Sequence, residues 1–115
     1  MPQHIGIVAC SAEGAALCYR TICVEGAELL GPHDHPEVSM HTHSLAKYVK
    51  HIDRGDWDGV GELMLSSASK LANMGADFLI IGASQRPAMA KLLRGSVATN
   101  VAQHLPESIQ LLIFG

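Results

Sequence analysis

A cysteine and a serine follow the first apolar run of the chain, where a strand is expected to lead into a helix. The run is His4–Ala9, and Cys10 and Ser11 come directly after it. Ser11 is placed as the N-cap of the helix, whose unpaired N–H groups and dipole can lower the pKa of a neighbouring thiol. Cys10 and Ser11 are therefore candidates for acid–base chemistry. The competing interpretation is that Cys10 is a small buried residue at a tight strand-to-helix turn.

A glycine-spaced loop after the third apolar run is a second candidate site. Glycines let backbone N–H groups approach a phosphate closely, and a helix N-terminus adds unpaired donors. The pattern predicts that this loop could bind ATP or phosphate, although no cofactor is predicted to be required. The competing interpretation is a plain turn followed by a serine N-cap. The candidate phosphate-binding residues are Gly82, Ala83, Ser84, Gly95, Ser96 and Val97.

Four histidines form two His-x-His pairs, His33/His35 and His41/His43. Imidazoles at such spacing can bind zinc or nickel, and His41 and His43 would share one face of the second strand because side chains alternate along a strand. Short histidine tracts are only compositional evidence, however. The favoured interpretation is a loop followed by ordinary strand residues, so no metal site is predicted.

Short apolar runs alternate with helical patterns along the chain, and this order predicts an α/β domain with a parallel sheet covered on both faces. The strands are predicted at 4–9, 38–43, 77–82 and 109–114. The helices are predicted after Ser11, at Leu45–Ile52, after the N-cap Asp56 to about Asn73, from Pro87, and from Ser96 to before Pro106. The inward face of the helix after Asp56 is predicted to contain Trp57, Val60, Leu63, Met64, Ser67 or Ala68, and Leu71. The inward face of the first helix is predicted to contain Ala16, Leu17, Tyr19, Ile22 and Cys23. Ligands of such sheets bind at the carboxyl ends of the strands.

The composition fits one soluble domain over residues 1–115. Apolar residues make up 48% of the chain, the net charge is −3, and no basic face or long apolar run is present. Nucleic acid and membrane partners are therefore not expected. The three cysteines indicate reduced thiols, and the expected location is the cytoplasm.

The segments IGIVACSAEGAALCYRTI, MHTHSLAKYVKHIDRGDWDG and LANMGADFLII resemble, in order and spacing, the N-terminal half of the Asp/Glu racemase family. The resemblance covers residues 1 to about 81. It implies a flavodoxin-like, three-layer α/β/α fold and cofactor-independent proton transfer at the α-carbon of an amino acid. It also implies two opposed cysteines, one after the third strand and one in a second domain, because racemisation removes a proton from one face and returns one to the other.

The sequence departs from that pattern after the third strand, where Gly82–Gln85 contains no cysteine, and it ends at Gly115 without a second domain. Cys10 is the thiol nearest the implied site. Cys18 and Cys23 are expected in the middle of the first helix, as core or half-buried residues. These departures argue against an enzyme.

Residues from about 82 to 115 resemble the C-terminal segment of universal stress proteins. LLRGSVATNV before an apolar strand carries the resemblance, together with the spacing from Gly82 to Gly95. It implies an ATP site, but Gln85 stands where that family has a second glycine. The two resemblances meet near Gly82, which favours an engineered chimera with a four-stranded sheet in the order 2-1-3-4. In this interpretation, residues 1–81 are the racemase-like part of a single domain and residues 82–115 are its stress-protein-like part.

Three functions are therefore open: a chimeric domain without evolved catalysis that keeps weak phosphate or nucleotide binding, an amino-acid racemase-like protein, and an ATP-binding stress protein. The first is favoured because each alternative lacks residues of its family's site. A homodimer is also expected, through the edge strand Ile109–Phe114 or through exposed apolar helix faces.

Overall fold

The structure is a computed structural model, and it describes residues 3–82, 103 and 109–114. The described strands are β1 (His4–Ala9), β2 (Glu37–Thr42), β3 (Phe78–Gly82) and β4 (Gln110–Phe114). The described helices are α1 (Ala12–Leu30), α2 (Leu45–Asp53) and α3 (Trp57–Asn73).

The strands form one parallel sheet in the order β2-β1-β3-β4. β1 lies between β2 and β3, and Ile5 pairs with Val38 on one side and with Phe78 on the other. Both neighbours of β1 come later in the chain, so each connection is a crossover that contains helices. The predicted α/β class with a parallel sheet is confirmed.

One face of the sheet is covered by α2 and α3. The apolar residues of α3 recur at the spacing of a helical face and pack with Val8 of β1 and Leu79 and Ile81 of β3. This is the largest described core, and most of its members are fully buried. The α2 and α3 residues in it are Tyr48, Val60, Met64, Ala68 and Leu71. The four residues that belong to α3 were all on its predicted inward face. Tyr48, the residue from α2, was not predicted.

The opposite face of the sheet is covered by α1, and here the predicted helix face is wrong in part. Ala15 packs with Ile7 and Ala9, and Cys18 and Ile22 lie against the same cluster. Ala16, Leu17 and Tyr19, which were placed inward, are exposed, Leu17 by 58% and Tyr19 by 45%. The physical reason is that small residues let α1 approach closely, so the large apolar side chains do not mark its contact face.

β2 runs one residue earlier than predicted, over Glu37–Thr42 instead of 38–43. The shift leaves His41 inside the strand and places His43 just beyond its end. β2 and β4 form the two edges of the described sheet. The homodimer expected through the edge strand or the exposed helix faces stays a prediction.

Gly6 lies where β1 packs closely against α3 and β3. A Cβ atom built on Gly6 would come within 2.7 Å of Leu79 Cδ2 and 3.1 Å of Leu71 Cβ. At 2.7 Å the Leu79 side chain would have to shift, and 3.1 Å is tighter than most contacts of a Cβ atom in a packed interior. Glycine at this position therefore sets how closely the helix and the strands approach.

His4 and Asp77 join the amino ends of the strands. The backbone N–H of His4 donates to a carboxylate oxygen of Asp77 at 3.2 Å, and the backbone N–H of Asp77 donates to the carbonyl of His4 at 2.8 Å. The His4 ring shares a 2.7 Å hydrogen bond with the hydroxyl of Ser39. These contacts fix the register of β1 against both neighbours.

Asp56 begins α3 and contacts α2 as well. One carboxylate oxygen of Asp56 accepts from the Gly59 N–H at 3.0 Å, and the other lies 2.9 Å from Nδ1 of His51. The Gly59 hydrogen bond and then His51 lower the pKa of Asp56. The turn between the two helices is thus held by one capping residue, as the sequence predicted for Asp56.

The helices predicted from Pro87 and Ser96 lie outside the described residues. Within the part of the chain that the structure describes, no helix combines the length and apolar character that a bilayer crossing needs.

Candidate functional site

Cys10 and Ser11 lie at the carboxyl end of β1, where the sequence placed them. Ser11 has extended backbone angles and caps α1, its hydroxyl accepting from the Gly14 N–H at 3.4 Å. Ser44 caps α2 in the same way after β2, accepting from the Ala46 N–H. Two helices therefore begin at the carboxyl ends of neighbouring strands, and their N-termini carry positive partial charge.

The environment of the Cys10 thiol differs from the one predicted. Burial raises its pKa, and the hydrogen bond from the backbone of Ser11 offsets this only in part. The expectation of a lowered thiol pKa is therefore wrong. The reason is that Cys10 packs against the apolar core under α3, and desolvation there outweighs the helix terminus. At neutral pH Cys10 is a protonated acid, and it becomes a base as the pH rises.

Tyr48 on α2 is the polar residue of this region that the sequence analysis missed. Its side chain is fully buried, and its hydroxyl lies near the side chain of Ser67 without reaching the geometry of an ordinary hydrogen bond. Burial, and then the neighbouring Cys10, raises the pKa of Tyr48 to about 12, while the interaction with the Ser67 side chain lowers it. One signal was available: Tyr48 and Ile52 are four residues apart, on one face of α2.

His41 and His43 each bind a serine of α3. Nδ1 of His41 shares a 2.8 Å hydrogen bond with Oγ of the buried Ser67, and Nε2 of His43 shares one of 3.1 Å with Oγ of Ser66. The two rings meet edge to face with centroids 4.9 Å apart. The two histidines lie on the same side of the sheet, as their spacing predicted, although His43 lies beyond the end of β2 and not within the strand. The serines that complete the cluster were not foreseen.

Desolvation lowers the pKa of both imidazoles. A further lowering comes from Lys70 at His41, and from His41, Lys70 and Lys47 at His43. Both rings are consequently neutral at physiological pH. In a neutral imidazole, one ring nitrogen donates a hydrogen bond and the other accepts one. The cluster is suited to hydrogen bonding.

Replacing His41 by asparagine is expected to remove part of the pH dependence of stability. The folded protein binds the His41 proton less readily than the unfolded chain does. The stability is therefore fully present above about pH 6.5 and decreases as the pH falls through that value towards the lower folded pKa. Urea unfolding of both proteins at pH 7.5, 6.5 and 5.5 measures the slope.

His33→Asn is the matched control for that comparison. His33 is exposed in the loop before β2 and has a φ of 65°, which asparagine tolerates well. The control should keep the wild-type slope. An identical slope in His41→Asn and in the wild type would contradict the prediction.

The two His-x-His pairs do not converge. His33 and His35 line an open groove of about 480 Å³ against α1, together with Cys23, Val24 and Ala27. That groove lies before β2, whereas His41 and His43 lie at its carboxyl end. Among residues 3–82, 103 and 109–114, no three His, Cys, Asp or Glu side chains are grouped closely enough to hold a metal ion.

The predicted phosphate site falls mostly outside the described residues. Gly82 is the last residue of β3 and pairs with Phe114 of β4. Ala83, Ser84, Gly95, Ser96 and Val97 lie outside the described residues, so binding of ATP or phosphate there stays a prediction.

The chain resembles a solved racemase structure in its fold. No family model and no curated protein matches the chain. It is similar to a Yersinia pestis protein named as an Asp/Glu racemase, with a TM-score of 0.76 and 19% sequence identity. The similarity covers 96% of this chain and 44% of that one, so this chain spans less than half of that protein's length. It is not confined to residues 1–81.

Proposed function

We propose that this chain is an Asp/Glu-racemase-type domain that binds a small amino acid at the carboxyl ends of β1 and β2 and exchanges its α-proton through Cys10. The observation that carries the proposal is the position of the thiol. Cys10 is partly exposed at the strand end beside the N-terminus of α1, in a fold similar to a racemase.

The carboxylate of the amino acid is assigned to the helix N-termini. Ser11 caps α1 and Ser44 caps α2, and unpaired N–H groups at these two ends favour an anion. A carboxylate held there would present its α-carbon to the strand-end turn that contains Cys10. Binding of the carboxylate also stabilises the charge that develops when the α-proton leaves.

The proton transfer balances within this site. The Cys10 thiolate takes the α-proton, so that an S–H bond forms and the electron pair of the C–H bond passes to the α-carbon and its carboxylate. The thiol then returns a proton to the same carbon. Exchange of the S–H proton with solvent between the two steps labels the amino acid without any other reactant.

A single thiol acts on one face of the carbanion. We therefore expect exchange with retention to be faster than formation of the opposite isomer. Because burial raises the thiol pKa, the exchange rate should increase with pH through the alkaline range. This pH dependence separates Cys10 from an imidazole base, whose lowered pKa would give a plateau at neutral pH.

The test is hydrogen–deuterium exchange at the α-carbon of L-aspartate and L-glutamate in D₂O, followed by proton NMR, with chiral chromatography for the D-isomers. Cys10→Ser is expected to reduce the exchange at least about 100-fold, since general acid–base catalysis contributes a factor of that order or more. Cys18→Ser, a change of the same type within α1, should leave the rate unchanged.

The same assay separates the competing proposal, a chimera without evolved catalysis. That proposal rests on the stress-protein resemblance of residues 82–115 and on the missing cysteine after the third strand. It expects no exchange with either amino acid, in the wild type or in Cys10→Ser. Exchange that persists in Cys10→Ser would contradict the role given to the thiol.

A further inference from the structure

The polar cluster of His41 and His43 has no role in the proposed exchange reaction. Nδ1 of His41 shares a 2.8 Å hydrogen bond with Ser67, and Nε2 of His43 shares one of 3.1 Å with Ser66. The two ring centroids are 4.9 Å apart. Each ring therefore has one nitrogen held by a hydroxyl of α3 and a second nitrogen to which the described structure assigns no hydrogen bond.

Two lysines lie beside these rings. Lys70 is four residues after Ser66 and three after Ser67, and residues at these spacings share one face of a helix. Lys47 lies in the first turn of α2, where its backbone N–H donates to the carbonyl of the N-cap Ser44, directly after the second histidine. The two rings and the two lysines therefore form a histidine–lysine cluster at the carboxyl end of β2.

The positive charge of this cluster is not balanced by the described acidic groups. Within the described part of the chain the ion pairs lie elsewhere, at His4–Glu37 and His51–Asp56. Both lysines are exposed and both histidines are half-buried, so a solute can reach the cluster. A local excess of positive charge attracts anions and disfavours a metal ion between the imidazoles.

We infer that His41, His43, Lys47 and Lys70 form a binding site for a small oxyanion, a phosphate or a carboxylate group. The ring nitrogens that the serines do not hold and the two ammonium groups supply the N–H donors. Hydrogen bonds of this kind, between charged groups, are shorter and stronger than neutral ones. The site is separate from the proposed function, because it needs neither Cys10 nor proton transfer at carbon.

Anion binding should be coupled to protonation of the two imidazoles. Without an anion, desolvation and then nearby positive charge lower the pKa of both His41 and His43. An anion in the cluster opposes both effects of charge and raises these pKa values. Its affinity should therefore increase as the pH falls from 7.5 to 5.5, because each protonated imidazole adds a charge and a donor.

The other titratable groups on the elements around the rings do not reverse this expectation. Cys10 at the end of β1 and Tyr48 on α2 keep their protons at neutral pH, because burial raises the pKa of both. Glu62 on α3 is eight residues before Lys70, about 12 Å along the helix axis. Glu37 lies at the opposite end of β2. The lysines therefore set the sign of the charge at the cluster.

The test is proton NMR of the histidine Cε1–H signals, titrated from pH 5.5 to 8 in sodium sulfate and in sodium chloride of equal ionic strength. Sulfate stays a dianion over this range, so only the protein titrates. In saturating sulfate the pKa values of His41 and His43 are expected to rise by about one unit, the effect of an opposite charge at short distance. His33 and His35 are internal controls and should titrate as they do in chloride.

Lys70→Gln tests whether the cluster, and not the ionic medium, causes the shift. The variant keeps an exposed polar side chain but removes one charge, so it should weaken sulfate binding about threefold, as expected for an exposed charged contact. Lys50→Gln, an exposed lysine in the last turn of α2, is the matched control and should bind sulfate as the wild type does. Equal shifts at all the histidines, or unchanged sulfate binding in Lys70→Gln, would overturn the inference.

Phosphate and succinate identify which source of the oxyanion the site prefers. Both are mainly dianions at pH 7.5, and each is titrated while the His41 and His43 signals are followed. A stronger response to phosphate supports a phosphorylated ligand, and a stronger response to succinate supports a dicarboxylate. No response of these two histidines to either anion would contradict an oxyanion site.

Discussion

Replacing Leu71 by alanine is expected to lower the free energy of unfolding by about 2–5 kcal/mol. Leu71 is fully buried in the last turn of α3, and it lies against Gly6 and the sheet. The change removes apolar contacts and leaves a cavity that the close packing of β1 and α3 prevents from collapsing. Urea unfolding at pH 7.5, monitored by circular dichroism, measures the loss.

Leu29→Ala is the matched control for this prediction. Leu29 is 84% exposed at the end of α1, so the same chemical change there should stay within about 0.5 kcal/mol of the wild type. Equal losses at the two positions would mean that the α3 face is not the main core of the protein.

Replacing Gly6 by alanine is expected to cost about 1–3 kcal/mol, the usual penalty for overpacking a closed interior. The added methyl group would lie 2.7 Å from Leu79 Cδ2 and 3.1 Å from both Ala76 Cβ and Leu71 Cβ. Two of these neighbours are Cβ atoms, which move only with their backbones. The same unfolding experiment gives the cost.

A double-mutant cycle locates the clash. Leu79→Val lacks the δ carbon that the new methyl group would meet, so Gly6→Ala should cost less in that background. The coupling between the two positions is expected to be at least about 0.5 kcal/mol, as for other residues in contact. Strict additivity would show that the cost arises elsewhere, in the backbone of β1.

The order of elements could be predicted from the sequence because apolar runs and helix caps are local signals. Asp56 was recognised as a cap, and the face of α3 followed from its periodicity. The face of α1 could not be predicted in this way, because its contacts depend on small residues. Gly26 is buried there against His35, and a Cβ atom at this position would meet His35 Cβ at 2.7 Å. The hydropathy pattern of the sequence cannot predict such a close contact between a helix and a loop.

The candidate site was predictable only as far as the strand ends. The sequence placed Cys10 and Ser11 correctly because a strand followed by an N-cap determines their position. It gave the wrong direction for the thiol pKa, because desolvation depends on which residues of α2 and α3 cover that turn. Tyr48 and the serines that bind His41 and His43 come from distant segments, so no local pattern could bring them together.

The hydrogen bonds of His4 have a consequence for how the chain folds. Its partners Ser39 and Asp77 lie 35 and 73 residues away along the chain. Contacts so distant in sequence form late, since the entropy of closing long loops must be met first. During synthesis the central strand leaves the ribosome before either neighbour exists. We therefore expect α1 to form early and β1 to stay unpaired until β2 and β3 have emerged. The strand in the middle of the sheet is thus synthesised first, but its hydrogen bonds are completed last.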